Sequence, residues 1–296
     1  MAAKRRYSIE KIVDRLRERL ESEWFQKCCH VMPEADIVER LQKERLSDDD
    51  LYLIRLSLGY LASWHMATGG MTVLQGESSG WEDIRQGVVC ECIGTRLHSW
   101  TMSRVPLSER SGLVAASGAM ALMLALAMEE MQLAHQIAES LILGVAQSSF
   151  SKFSQIGFEP FALRLYGMSV GRELVQTGFD LPEYGDSYRE VFEYWHDTEK
   201  LGGALVAVCD AHVECDRNPK GGGYSQFPHE PMGACPMEIA AIVRLRERTS
   251  LDIPMIRHPL LNSRLASVPT HVKAKQEPLI ERLAQRLRDV MPEIKM

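Results

Sequence analysis

Apolar residues recur along this chain at the spacing of one helix face after another. Ile9, Ile12, Val13, Leu16 and Leu20 form a first stripe, with Ser8 placed to cap the helix and Glu10 in its first turn. Pro33 suits the first position of a second helix running to about Leu46. Ser47 followed by Asp48, Asp49 and Asp50 marks a third start, because carboxylates there complement the helix dipole. That helix carries Leu51, Ile54, Leu58, Leu61 and His65, and Gly69-Gly70 are expected to end it. A further helix is expected from about Trp81 to Arg104, with Pro106 separating it from an apolar stretch that follows.

The apolar stretch, Gly112 to Met128, holds seventeen uncharged residues rich in Gly, Ala and Ser. It lies at the short limit for a membrane span, and a helix buried on all sides gives the same pattern; we expect the buried helix. The run from Ser108 to Gly144 reads as two helices meeting near Glu129-Glu130, so that Ala134, Ile137, Ala138 and Leu141 can pack on Met120, Leu124 and Met128. Residues 217–236 break the pattern with Pro219, Gly221-Gly222-Gly223, Pro228, Pro231, Gly233 and Pro236; a loop this long is usually functional or disordered. Pro236 then opens a helix through Arg248, and a last amphipathic helix carries Ile280, Leu283, Leu287 and Val290. Strands are not expected, since neither two-residue alternation nor a hairpin turn signal occurs. The expected fold is therefore all-α: an irregular helical bundle or αα-hairpin solenoid of about ten to twelve helices. An N-terminal region, 1–105, and a central and C-terminal region, 106–296, can form one continuous domain.

Composition narrows the functional classes. The 296 residues carry 34 Lys and Arg against 40 Asp and Glu, for a net charge of −6, which argues against non-specific nucleic-acid binding. The start of the chain lacks the apolar run of a secretory signal, and seven cysteines without regular spacing read as reduced thiols, so a cytoplasmic protein is expected. Charge is unevenly spread. Between Glu173 and Asp216 eleven acidic residues face only Arg189 and Lys200, whereas from Arg217 onward thirteen basic residues outnumber eight acidic ones. Asp186, Glu190, Glu193 and Asp197 fall at i, i+4, i+7 and i+11, one face of a single helix whose other side carries Tyr188, Val191, Phe192 and Trp195. Such an edge suits a basic protein partner; alternatively, its charges pair with the basic C-terminal region.

Catalytic signatures are incomplete. Cys209, His212 and Cys215 lie at i, i+3 and i+6, a spacing that suits a zinc ion with Glu214 as general acid and base. A helix with two buried thiols and one hydrogen-bonded histidine explains the same residues. His212-Val213-Glu214 with Ala234-Cys235-Pro236 only partly matches a zinc-deaminase pattern, because Pro236 follows Cys235 instead of preceding it and position 238 holds Glu238 where a second cysteine is needed. Cys90 with Cys92, and Cys28-Cys29-His30, are expected to pack rather than chelate. Lys220 with Gly221-Gly222-Gly223 lacks the strand and the Lys-Ser/Thr of a phosphate loop.

Two stretches resemble a family. One runs from Ala119 to Ala138; the other joins Tyr194-Trp195-His196, Ala211-His212, Pro236 to Arg246 and His258-Pro259-Leu260-Leu261. Together they resemble the all-helical immunity proteins of bacterial polymorphic toxin systems, the nearest group being immunity protein 49, over about half of the chain. The resemblance implies a non-enzymatic protein that neutralises a cognate toxin by binding it, without a cofactor. The expected contact surface is the acidic face of Asp186, Glu190, Glu193 and Asp197 together with Tyr224 and Phe227 of the long loop. A zinc-dependent hydrolase or deaminase, and a helical adaptor, are the alternatives.

Overall fold

Chain entry follows the first hydrophobic stripe. In the computed structural model, which describes residues 8–106, 113–146, 150–152, 157–172, 174, 186–217 and 229–291, helix α1 spans Ile9–Glu21 and the Ser8 hydroxyl accepts from the Lys11 amide at 3.4 Å. It buries Ile12 and Leu16, the inner half of the expected stripe. A single turn, α2 (Glu23–Gln26), runs through a π-helical turn (Lys27–Val31) into α3 (Met32–Leu41). Helix α3 ends five residues short of the expected Leu46. The intervening residues carry the chain into the extended backbone that Ser47 adopts as the next cap, at φ −80° and ψ 168°.

Helix α4 then runs for 28 residues, Asp48–Gln75, from a capping box in which Ser47 and Asp50 satisfy each other's backbone amides. Gly69 and Gly70 do not stop it, contrary to the sequence expectation. The helix ends instead at Gly76, whose φ of 105° is a left-handed cap; the Gly76 and Glu77 amides bond back to Val73 and Thr72. The two inner glycines serve contact rather than termination. A Cβ on Gly69 would collide with the Gly80 carbonyl and come within 2.8 Å of the Ile84 amide, and one on Gly70 would overlap the Pro231 ring. Helix α5 (Gly80–Ser103) thus crosses α4 with backbone nearly touching backbone.

The apolar stretch becomes α6 (Ala116–Ala127), buried along its whole length except Ser117. Glu129 turns the chain with a φ of 59° into α7 (Met131–Ala146), where the expected Ala134, Ile137, Ala138 and Leu141 face inward. Among the described residues no helix is long and apolar enough to cross a membrane. One short parallel pair, β1 (Leu113–Val114) with β2 (Phe150–Lys152), is the only strand pairing among the described residues. Helices α8 (Phe158–Ser169), α9 (Asp186–Glu193), α10 (Thr198–Arg217), α11 (Met237–Arg248) and α12 (Pro278–Val290) complete an all-α architecture within the expected range of helices. The largest core cluster joins α4 to α11, and a second one seats α12 against α3, α4 and α5. Arg246 of α11 is fully buried, its guanidinium donating to the backbone carbonyls of Trp195 and Asp252. Those bonds tie the linker between α9 and α10 to the segment after α11.

Candidate functional site

The expected acidic face is shorter than its spacing suggested. Helix α9 ends at Glu193 and a turn follows, so Asp197 is not the fourth member of one helical stripe. The Asp197 side chain instead accepts from the Lys200 amide at 3.1 Å, its carbonyl accepts from Leu201, and Lys200 Nζ lies 3.2 Å from its carboxylate. A short polar residue at the start of α10 satisfies otherwise orphaned amides better than a twelfth helical position would. Hydrogen bonding to Lys200 holds the Asp197 carboxyl below its usual range. Tyr188, Val191 and Trp195 are buried, as expected of the inner face, with Phe161 stacked on Tyr188 at 4.3 Å. Glu193, Glu199 and Asp210 are exposed and Glu190 is half-buried. The side chain of Asp186, and residues Tyr224 and Phe227, lie outside the described residues.

Few groups of the C-terminal region reach this edge among the described residues. There, no ion pair joins Glu190, Glu193 or Glu199 to a C-terminal cation; only His258 approaches the edge, 3.5 Å from Asp210. The C-terminal cations work elsewhere. Arg244 pairs with Glu247, Lys275 reaches Asp83, Arg264 donates to the Leu74 carbonyl, and Arg286 donates to the carbonyls of Lys43 and Glu44.

The Cys209–His212 pair is arranged as structure rather than as a metal centre. His212 is buried, with Nδ1 3.0 Å from both Glu238 oxygens and Nε2 3.2 Å from the Met232 carbonyl. A carbonyl only accepts, so Nε2 carries a proton, and a second proton is shared between Nδ1 and the carboxylate. Tyr188 adds its hydroxyl to Glu238 at 3.4 Å. Neither imidazole nitrogen is left to ligate. Burial pushes the Cys209 thiol up to about 12, and the nearby charges of Glu238 and Asp210 push the same way. The Cys215 side chain lies outside the described residues, and among those described no three His, Cys, Asp or Glu side chains converge as metal ligands would. Cys29, Cys90, Cys92 and Cys235 are likewise buried free thiols.

A second polar assembly was invisible in the sequence. His229 stands at the described end of the long loop, buried between α4 and α5. Its Nε2 lies 2.7 Å from Glu91 Oε1 of α5, and its Nδ1 lies 2.8 Å from Ser63 Oγ of α4. Acid, imidazole and hydroxyl follow one another in a line. The neighbouring Glu230 is held to α1 by Arg19 at 3.2 Å and Arg15 at 4.0 Å, which fixes the segment that carries the ring. Ser63 and His229 are 166 positions apart and Glu91 and His229 are 138 apart, so no local motif advertises the set. The one usable signal was a histidine inside a Pro- and Gly-rich loop.

No family model, no curated protein and no solved structure matches this chain.

Proposed function

We propose that this chain acts in the cytoplasm by capturing a basic protein on the edge formed by α9 and α10, as the resemblance to toxin-neutralising immunity proteins implies. The carrying observation is the set of outward carboxylates at Glu190, Glu193 and Glu199, which no C-terminal cation reaches among the described residues. From Asp186 to Arg217 eight carboxylates accompany three cations, and the opposite face of α9 is fixed in the core. An edge held this way keeps its negative potential without reorganising, which speeds encounter with a positive surface and raises specificity for it. Capture requires no cofactor.

Affinity purification from the native host should yield one basic protein in stoichiometric amount. Reversing two charges, Glu190→Lys with Glu193→Lys, should weaken the purified pair at least tenfold, which is about 1.4 kcal/mol, and most steeply at low salt. Unchanged affinity in the double variant removes this surface from the proposal.

A further inference from the structure

We propose that Ser63, His229 and Glu91 form a nucleophilic relay in which Ser63 accepts the acyl group of a carboxylic ester. The donor accounting is what carries it. Glu91 accepts at 2.7 Å, which places a proton on Nε2 of His229 and leaves Nδ1 with its lone pair. The Ser63 hydroxyl, 2.8 Å from Nδ1, then donates to it. When Nδ1 gains the proton, the imidazolium donates back to Ser63 Oγ, and any hydroxyl proton on Ser63 turns to the Gly59 carbonyl, 3.1 Å away. Both proton positions are therefore satisfied by hydrogen bonds, and the proton can move without leaving a buried group unpaired.

The surroundings fit the task. Glu91 and His229 are buried, while Ser63 is half-buried. Gly59, one turn earlier on the same face of α4, has no atom of the described residues within 4 Å of a Cβ built there. A further turn back is Arg55, whose charge acts on Glu91; its Nε is buried without an acceptor among the described residues. Glu91 is a positioning residue: it orients the ring and selects the tautomer.

In the reaction, Ser63 Oγ attacks the ester carbonyl and its proton passes to Nδ1. The bond to the leaving alkoxide breaks and the alkoxide takes that proton away as alcohol. Water then attacks the acyl-serine, giving one proton to Nδ1; the Ser63 oxygen departs, recovers that proton, and the carboxylic acid is released.

The probe is a fluorophosphonate, in which Ser63 displaces fluoride, read by intact and peptide mass, with p-nitrophenyl acetate as reporter ester. One adduct per full-length chain on Ser63 is expected, together with a nitrophenolate burst. Ser63→Ala should abolish both, and His229→Gln should slow labelling by about 100-fold or more, with each variant's folding checked by circular dichroism. A downfield proton resonance from Nε2–H should persist in Ser63→Ala and move upfield in Glu91→Gln. Absence of an adduct at saturating probe, or an adduct that survives Ser63→Ala, overturns the proposal. It stands apart from the binding reading: Ser63→Ala should leave partner affinity unchanged, and the α9 charge reversals should leave labelling unchanged.

Discussion

His65 shows how one side chain can join three segments. It is 5% exposed at its side chain, with Nδ1 3.5 Å from Asp83 of α5 and Nε2 3.3 Å from Glu277 at the entrance to α12. These distances make ion pairs rather than aligned hydrogen bonds, and both ring nitrogens lack a hydrogen-bond partner by that stricter geometry. Burial works against a charged ring, but the two carboxylates together outweigh it and raise the pKa. Both carboxyls are lowered in turn: burial opposes this, while His65 and Lys275 prevail. A raised histidine stabilises the fold below its unfolded value, about 6.5, and the benefit fades as pH climbs through the folded value. The lowered carboxyls stabilise above their unfolded values, near 4, and lose that contribution in acid. The cluster is accordingly strongest between about pH 4.5 and 6.5. Urea unfolding of wild type and His65→Gln should show a stability gap at pH 6 that narrows steadily toward pH 9; a gap independent of pH would mean the ring is neutral throughout.

Glycines separate what the pattern revealed from what it hid. In α4 two of them have opposite consequences for the same substitution. Gly69→Ala drives a methyl into the α5 backbone, where neither chain can yield, and should cost about 1–3 kcal/mol or more. Gly59→Ala meets open space and should stabilise the helix by about 0.5–1 kcal/mol. Thermal or urea midpoints of the two variants should therefore move in opposite directions. The stripes of α1 and α12, the Ser47 cap and the turn at Glu129 were legible because each depends on residues a few positions apart. The continuation of α4 through Gly69 was not, because a glycine that ends a helix and one that admits a neighbour look alike until the neighbour is placed. Asp197 failed for a related reason: helical periodicity continues past Glu193 on paper, and only the start of α10 shows that its side chain caps instead. Of the Ser63–His229–Glu91 set only the histidine in its loop gave a signal, since its members meet only after α4, α5 and the 229–235 segment have packed.

At the scale of the whole molecule, the core gathers α4 to α11 around α6, buried but for Ser117, and α12 closes the other side against α3 to α5. Four thiols are locked inside that packing. Cys90 and Cys92 sit on α5, Cys209 on α10 and Cys235 before α11, all within 2% exposure, and burial is the largest influence raising each of them. Maleimide acts on a thiolate that it can reach, and in the folded chain these sulfurs are neither ionised nor accessible. Each is therefore a dormant reporter that wakes only when its own helix separates from the rest. Timed alkylation followed by peptide mass should give four separate clocks, on two helices and one connecting segment. If the molecule opens as one cooperative body the clocks will keep the same time; if α10 swings away alone, Cys209 will run ahead of the pair on α5.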